Sequence, residues 1–260
     1  MSVNRREFLN LAAGASVAAV VTPSFAQAQN PSHSGAIHAV AFDGFVIFDP
    51  SSVVRRVESI VPGKGVEFTA EWRLHQFEYS WLRTMANRYV DFWQITGDAL
   101  DFTARKFKLD LTVESRSHLM QAYRELQPWP DVRETLEQLK ARKIRMAFLS
   151  NFSAAMLDAN LQGSHLREYF QDHLSTDLVK AYKPDARAYQ MGIDAFHLKR
   201  EEIAFAAFAF WDAMGAKSFG YPTVWVNRNH VASENLGIQP DATIEKLSGL
   251  VEFVSRDSAM

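Results

Sequence analysis

The chain has 260 residues, 47% of them apolar, 12% aromatic and 22% charged, with no cysteine and a formal net charge of −2. That balance supports a sizeable buried core and excludes disorder and collagen-like repeats. The absence of cysteine removes disulfide frameworks, thiolate zinc sites, iron–sulfur clusters and a cysteine nucleophile, and without a basic block there is no electrostatic case for a nucleic-acid partner.

The chain opens with a basic segment containing Arg5 and Arg6, followed by Phe8 and Leu9 and a small-residue apolar run from about Leu11 to Val21. Ala26-Gln27-Ala28 then supplies a small-x-small end. Such an order reads as a secretory signal, cleaved near Ala28, and the paired arginines resemble the twin-arginine type. The apolar run is shorter than the roughly 20 residues that a membrane span needs. The expectation is an exported, periplasmic mature protein delivered by the twin-arginine machinery.

Ala36 to Phe42 reads as a buried strand that presents Asp43 at its carboxyl end. From about Ser51 to Leu126 the period is helical, and Arg73, Gln76, Phe77 and Ser80 are expected to share a face. After Pro128 and Pro130, strands alternate with helices. Val132, Leu136 and Leu139 form a helix stripe, and strands are expected from Ile144 to Leu149, near His173 to Ser175, from Ile203 to Phe208 and from Thr223 to Val226. The pattern predicts an α/β fold with a mostly parallel sheet covered on both faces. Its expected organisation is a signal over 1–28, a core from 29–50 and 128–260, and an inserted helical cap over 51–127.

Four polar positions follow predicted strands or their loops: Asp43, Ser150 with Asn151, Lys183 and Asp212. An Asp in that place can attack an electrophilic carbon or phosphorus, a nearby Lys keeps it ionised, and a second carboxylate can activate water. Each also has a plainer reading: Asp43 as a turn or cap residue, Ser150-Asn151 as a helix N-cap pair, and Lys183-Pro184 as an extended surface dipeptide.

The ordered set Asp43, Ser150-Asn151, Lys183-Pro184-Asp185 and Asp212 resembles the four motifs of the haloacid dehalogenase superfamily. The segment Trp72 to Arg83 is similar to the type II L-2-haloacid dehalogenases, as are Tyr182 to Asp185 with Tyr189, Trp211-Asp212-Ala213 and Gly220 to Arg228. This resemblance implies a Rossmann-like core with a helical cap, and hydrolysis of short (S)-2-haloalkanoic acids to (R)-2-hydroxyalkanoic acids without a cofactor or metal. By the same resemblance, Asp43 would be the nucleophile, Lys183 its ion-pair partner and Asp212 the group serving the hydrolytic water. Arg73 would bind halide and substrate carboxylate, Asn151 would cradle the halide, and Ser150 would bind the carboxylate. Tyr189 would support the lysine, Phe77 and Trp211 would form apolar walls, and a homodimer is expected.

Superfamily phosphatases carry a second Asp two residues after the nucleophile. Here that position is Phe45, which suits a small halo acid, and Phe208 stands where another carboxylate often lies. The chain also departs from the dehalogenase pattern, which has Thr at the position of Ile47 and Ser and Asn at those of Ala207 and Ala209. Losing such hydrogen-bond partners can cost on the order of a hundredfold in rate. The alternative is therefore a catalytically impaired relative that binds a small carboxylate or a partner.

Overall fold

The computed structural model describes residues 35–255, and the expected signal segment lies outside them. Strand β1 (Ala39–Phe42) leads through Asp43 into a short helix, α1 (Gly44–Ile47), and a two-residue strand, β2 (Phe48–Asp49). Four helices follow: α2 (Ser51–Ile60), α3 (Gly65–Met85), α4 (Phe92–Lys106) and α5 (Val113–Gln121). Strand β3 (Gln127–Pro128) pairs antiparallel with β2, so the chain leaves and re-enters the sheet region through one narrow ribbon. The alternating part then runs α6 (Val132–Ala141), β4 (Arg145–Ser150), α7 (Ala154–Ser164), β5 (Asp172–Ser175), α8 (Ala186–Phe196), β6 (Ile203–Ala207), α9 (Phe210–Phe219), β7 (Thr223–Val226), β8 (Ala242–Ile244) and α10 (Gly249–Ser255).

The six strands of the main sheet lie in the order β5-β4-β1-β6-β7-β8, all parallel, which is the α/β architecture expected from the alternation. With β1 central, Asp43 projects from the middle of the carboxyl edge, flanked by the ends of β4 and β6. Side chains alternate between two cores. Val40, Phe42, Phe148, Ala204 and Val224 face one, while Ala41, Leu149, Phe205 and Trp225 face the other, as a sheet buried on both sides requires. The ribbon, β8 and α10 were not anticipated; β8 is three residues, none of them fully buried, and carries little hydrophobic signal.

Helix α3 buries Phe68, Thr69, Trp72, Gln76 and Ser80, spaced three and four apart, chiefly against α4. Two of its three polar side chains are satisfied: Gln76 Nε2 donates to Thr96 Oγ1 at 3.0 Å and Gln76 Oε1 accepts from Tyr123 OH at 3.0 Å, while Ser80 Oγ donates to the Gln76 carbonyl; the Thr69 hydroxyl is buried without a side-chain hydrogen bond. The single face expected for Arg73, Gln76, Phe77 and Ser80 is thus divided. Gln76 and Ser80 close the helix bundle, and Arg73 with Phe77 turns toward a cavity above the sheet edge. No helix among the described residues is long and apolar enough to cross a membrane.

Trp72 is fully buried and its Nε1 donates to the Thr96 carbonyl at 2.8 Å. Trp72→Ala is expected to cost about 3–5 kcal/mol in urea denaturation. Leu74→Ala, at a position 57% exposed two residues further on, is expected to stay within about 0.5 kcal/mol.

Candidate active site

The sheet edge brings a buried cation between two carboxylates. Lys183 Nζ lies 2.8 Å from Asp43 Oδ1 and 2.6 Å from Asp212 Oδ2, with Lys183 wholly buried, Asp212 nearly so and Asp43 slightly open. The third face of the ammonium meets the Phe205 ring at 5.1 Å. Asp212 sits in the first turn of α9, and its second oxygen accepts from Tyr189 OH at 2.7 Å. Asp43 Oδ2 accepts from the Phe45 amide at 3.0 Å, so the carboxylate also caps the short helix that follows it.

Two carboxylates around one ammonium leave a net negative charge in a dry place, and the cluster holds protons tightly. Burial alone would lower the Lys183 ammonium, but Asp212 and Asp43 outweigh it and hold it above its ordinary value. Burial pushes the Asp212 carboxyl up, and the Asp43 charge adds to this against the opposing pull of Lys183 and Tyr189, leaving it at about 6. Tyr189 is driven well above the usual phenol value, first by burial and then by the Asp212 charge, so it remains a hydrogen-bond donor.

Above this cluster lies a cavity of about 220 Å³ whose lining includes Asp43, Arg73, Ser150, Asn151, Trp211 and Asp212. Asn151 Oδ1 accepts from the Lys183 backbone amide at 3.0 Å, which holds the Lys183 segment against the end of β4. Its Nδ2 is buried with no partner, an orphan donor in the wall of the cavity. Ser150 Oγ accepts from the Phe152 amide at 3.1 Å and keeps its own proton to give. Neither residue caps α7, whose N-cap is Ser153. Arg73 forms no hydrogen bond or ion pair with the described residues, so its guanidinium is available to a ligand. The cap helix that carries it is pinned to the lysine segment by Trp81 Nε1 donating to the Lys183 carbonyl at 3.2 Å, and by Thr84 Oγ1 accepting from the Tyr182 amide.

Phe45 and Phe77 also line the cavity, and Tyr189 stands behind the carboxylates. All ten residues singled out in the sequence therefore lie in or immediately around one site. Ile47 and Ala207 are fully buried in apolar surroundings, and Ala209 lines the cavity without a polar side chain. The turn after the nucleophile is held instead by residues that carried no role in the sequence reading. Trp129 Nε1 donates to the Phe45 carbonyl at 3.0 Å, Arg228 to the Val46 carbonyl at 3.3 Å, and the Trp129 amide to the Ile47 carbonyl at 3.0 Å. Arg228 lies over the Trp129 ring at 4.8 Å and pairs with Asp131. Phe152, Phe208 and Phe210 add rings to the wall; an aromatic directly after Ser150-Asn151 was the available signal.

A family model described as haloacid dehalogenase-like hydrolase matches residues 28–220. The chain is 44% identical over 218 residues to an (S)-2-haloacid dehalogenase of Pseudomonas sp. (strain YL), spanning 84% of this chain and 94% of that one. It is similar to the crystal structure of an L-2-haloacid dehalogenase at a TM-score of 0.83 and 32% identity, covering 85% of this chain and 100% of that one. It is also similar to the L-2-haloacid dehalogenase of Xanthobacter autotrophicus with chloropropionic acid covalently bound, at a TM-score of 0.79 and 30% identity, covering 85% and 99% of the two chains.

Removing the ammonium while keeping its stem isolates the electrostatics. Lys183→Met should destabilise the protein by about 3–5 kcal/mol at pH 8, because two buried carboxylates are left without a cation. Asp212 already has a carboxyl raised in the fold, and losing Lys183 raises it further. Stability from such a group is present at low pH and lost as pH rises through its folded value, so the deficit should shrink at pH 5. Urea titrations of both proteins at the two pH values check this.

Proposed function

The chain belongs to the haloacid dehalogenase-like hydrolases, and we propose that it hydrolyses (S)-2-haloalkanoic acids to (R)-2-hydroxyalkanoic acids through an ester on Asp43. The observation that carries this reading is the buried Lys183 ammonium joining Asp43 to Asp212 beneath a cavity that also holds an unpaired arginine and an orphan amide donor.

The substrate carboxylate and halogen meet the groups whose capacity is unused: Arg73, the Ser150 hydroxyl and Asn151 Nδ2. An Asp43 oxygen attacks C2 from the face opposite the halogen. The C–O bond forms as the carbon–halogen bond breaks, C2 inverts, and halide leaves with the bonding pair toward positive or N–H-donating groups. Lys183 holds the other side of the Asp43 carboxylate for this step, and Phe45, at the place where a phosphatase needs an acid, instead forms a wall through its contacts with Phe152 and Phe208.

The ester opens at its carbonyl carbon. Asp212 takes a proton from water, the hydroxide adds to Cγ of Asp43, and the hydroxy acid leaves after receiving a proton. Esterification removes the charge on Asp43 that helps hold the Asp212 carboxyl up, whereas Lys183 stays. Alkylation of the nucleophile therefore primes the base for the second half of the reaction. Intact geometry in the Asp43–Lys183–Asp212 set, together with relatives named as dehalogenases, favours turnover over a binding role.

Export by the twin-arginine route, a periplasmic location, and pairing into a homodimer through exposed Leu74, Leu82 and Met85 on α3 are further parts of this proposal. The basic opening with Arg5-Arg6 and the small-residue apolar run support the first two.

Full-length protein should release chloride from (S)-2-chloropropanoate without added metal, and Asp43→Asn should release none. Asp212→Asn should accumulate a covalent adduct on Asp43 visible by intact mass; absence of both chloride and adduct overturns the reading. In single-turnover experiments followed by quenched mass spectrometry, ester hydrolysis should be flat from pH 8 to 6 and decline only below 6, because the ester state lowers Asp212. An acid limb centred at or above 6 would contradict this. For localisation, the double variant Arg5→Lys/Arg6→Lys is expected in the cytoplasmic fraction and the parent chain in the periplasmic one.

A further inference from the structure

Resting on the dehalogenation reading, the size and lining of the cavity point to a substrate class beyond the smallest acids. We infer that the site accepts 2-haloacids whose C2 substituent carries an aryl ring, and that it favours them over a methyl substituent.

Two observations carry this. The first is the continuity of the aromatic wall. Phe92, Phe152, Phe45 and Phe208 follow one another with ring centroids 5.9, 4.9 and 5.9 Å apart, and Phe77 with Trp211 forms a second pair at 5.3 Å. The rings of the first series are each fixed by a neighbour, and Phe45, Phe92 and Phe152 are almost entirely buried, so the wall is preorganised. Each ring offers a face or an edge to a guest ring at the spacing aromatic pairs prefer.

The second is room. An apolar cavity of about 150 Å³ is sufficient to admit benzene. The cavity here measures about 220 Å³ and must also hold a carboxylate, a halogen and C2. Those groups are small and meet Arg73, Ser150, Asn151 and Asp43, while Asn227, Arg228 and Glu234 also line the cavity and leave the ring wall to the substituent. A methyl substituent would leave much of the aromatic wall uncovered. A benzyl substituent covers it, and affinity follows the apolar surface removed from water. Ala209 at the entry to α9 keeps this space open, since it lines the cavity with only a methyl group.

The test separates this inference from the reaction itself. Binding of 3-phenylpropanoate and of propanoate to the full chain is measured by calorimetry, which needs no turnover. Chloride release is then compared for (S)-2-chloro-3-phenylpropanoate and (S)-2-chloropropanoate. The aryl acid should bind at least tenfold more tightly, and kcat/KM should favour the aryl substrate by at least tenfold. Ala209→Phe, or Ala209→Leu should the first variant melt early, fills the cavity and should bring both ratios to about one or below. Equal affinities in the parent chain overturn the inference, as does an aryl preference that persists in the filled variants, because binding then lies elsewhere. Chloride release from the small substrate with no aryl preference overturns the inference and leaves the reaction standing. No chloride from either substrate, with no covalent adduct, overturns the reaction, while the calorimetric ratio still decides the cavity.

Discussion

A single ammonium buried between two carboxylates is the interaction on which the rest of the molecule depends. Lys183 cannot be placed there by its own segment alone, because a buried charge is tolerated only where partners are already in position. Asp43 comes from the end of the central strand, Asp212 from the first turn of the helix after β6, and Asn151, from the end of β4, holds the lysine backbone. The parallel order β4-β1-β6 is the arrangement that puts these three strand ends side by side. Packing of the two hydrophobic cores thus serves to align charges that would otherwise repel the fold.

The site meets its polar requirements by an uneven division of labour. Below, every acceptor and donor of the lysine cluster is engaged, with Tyr189 completing Asp212. Above, Arg73, Asn151 Nδ2 and the Ser150 proton are left for a ligand, beside a wall of rings and a further stretch of lining that runs from Asn227 to Glu234. Ile47, Ala207 and Ala209 put no side-chain hydrogen bonds into the cluster, and the carbonyls of the turn after Asp43 are instead held from outside by Trp129 and Arg228. Shape and burial here take over part of what side-chain polarity could have supplied.

Much of this was legible in the sequence, and the portions that were not have physical reasons. The buried strands announce themselves as short apolar runs, and the residues at their carboxyl ends follow from the rule that parallel sheets place sites there. Asp43, Asp212 and Lys183 could be found as an ordered set, Asp43 at a strand end and the other two in the segments that follow strands, and through the motif resemblance, because each alone has a plainer reading. The division of α3 into an inward polar stripe and a cavity-facing arginine was not readable: Gln76 is buried only because Thr96 and Tyr123, distant in sequence, satisfy it. Strand β8 escaped because a short, half-exposed edge strand has little hydrophobic pattern. Phe152 had one local sign, its place directly after Ser150-Asn151, and Phe208 reads in the sequence only as the lack of a carboxylate, since a ring in a cavity wall and a ring in a core look alike.

The anchoring of the nucleophile turn has a consequence for how the protein becomes reactive. The Val46 carbonyl receives its bond from Arg228, 182 residues further along, and the Phe45 carbonyl receives its bond from Trp129, 84 residues away. Contacts of such separation close late, after the entropy of long loops has been overcome. A chain still emerging from the ribosome can carry Asp43 for most of its synthesis without the fastening that aims it. The fastening is therefore completed in two stages, and a chain cut short before Arg228 keeps the Trp129 bond to the Phe45 carbonyl but leaves the Val46 carbonyl unheld.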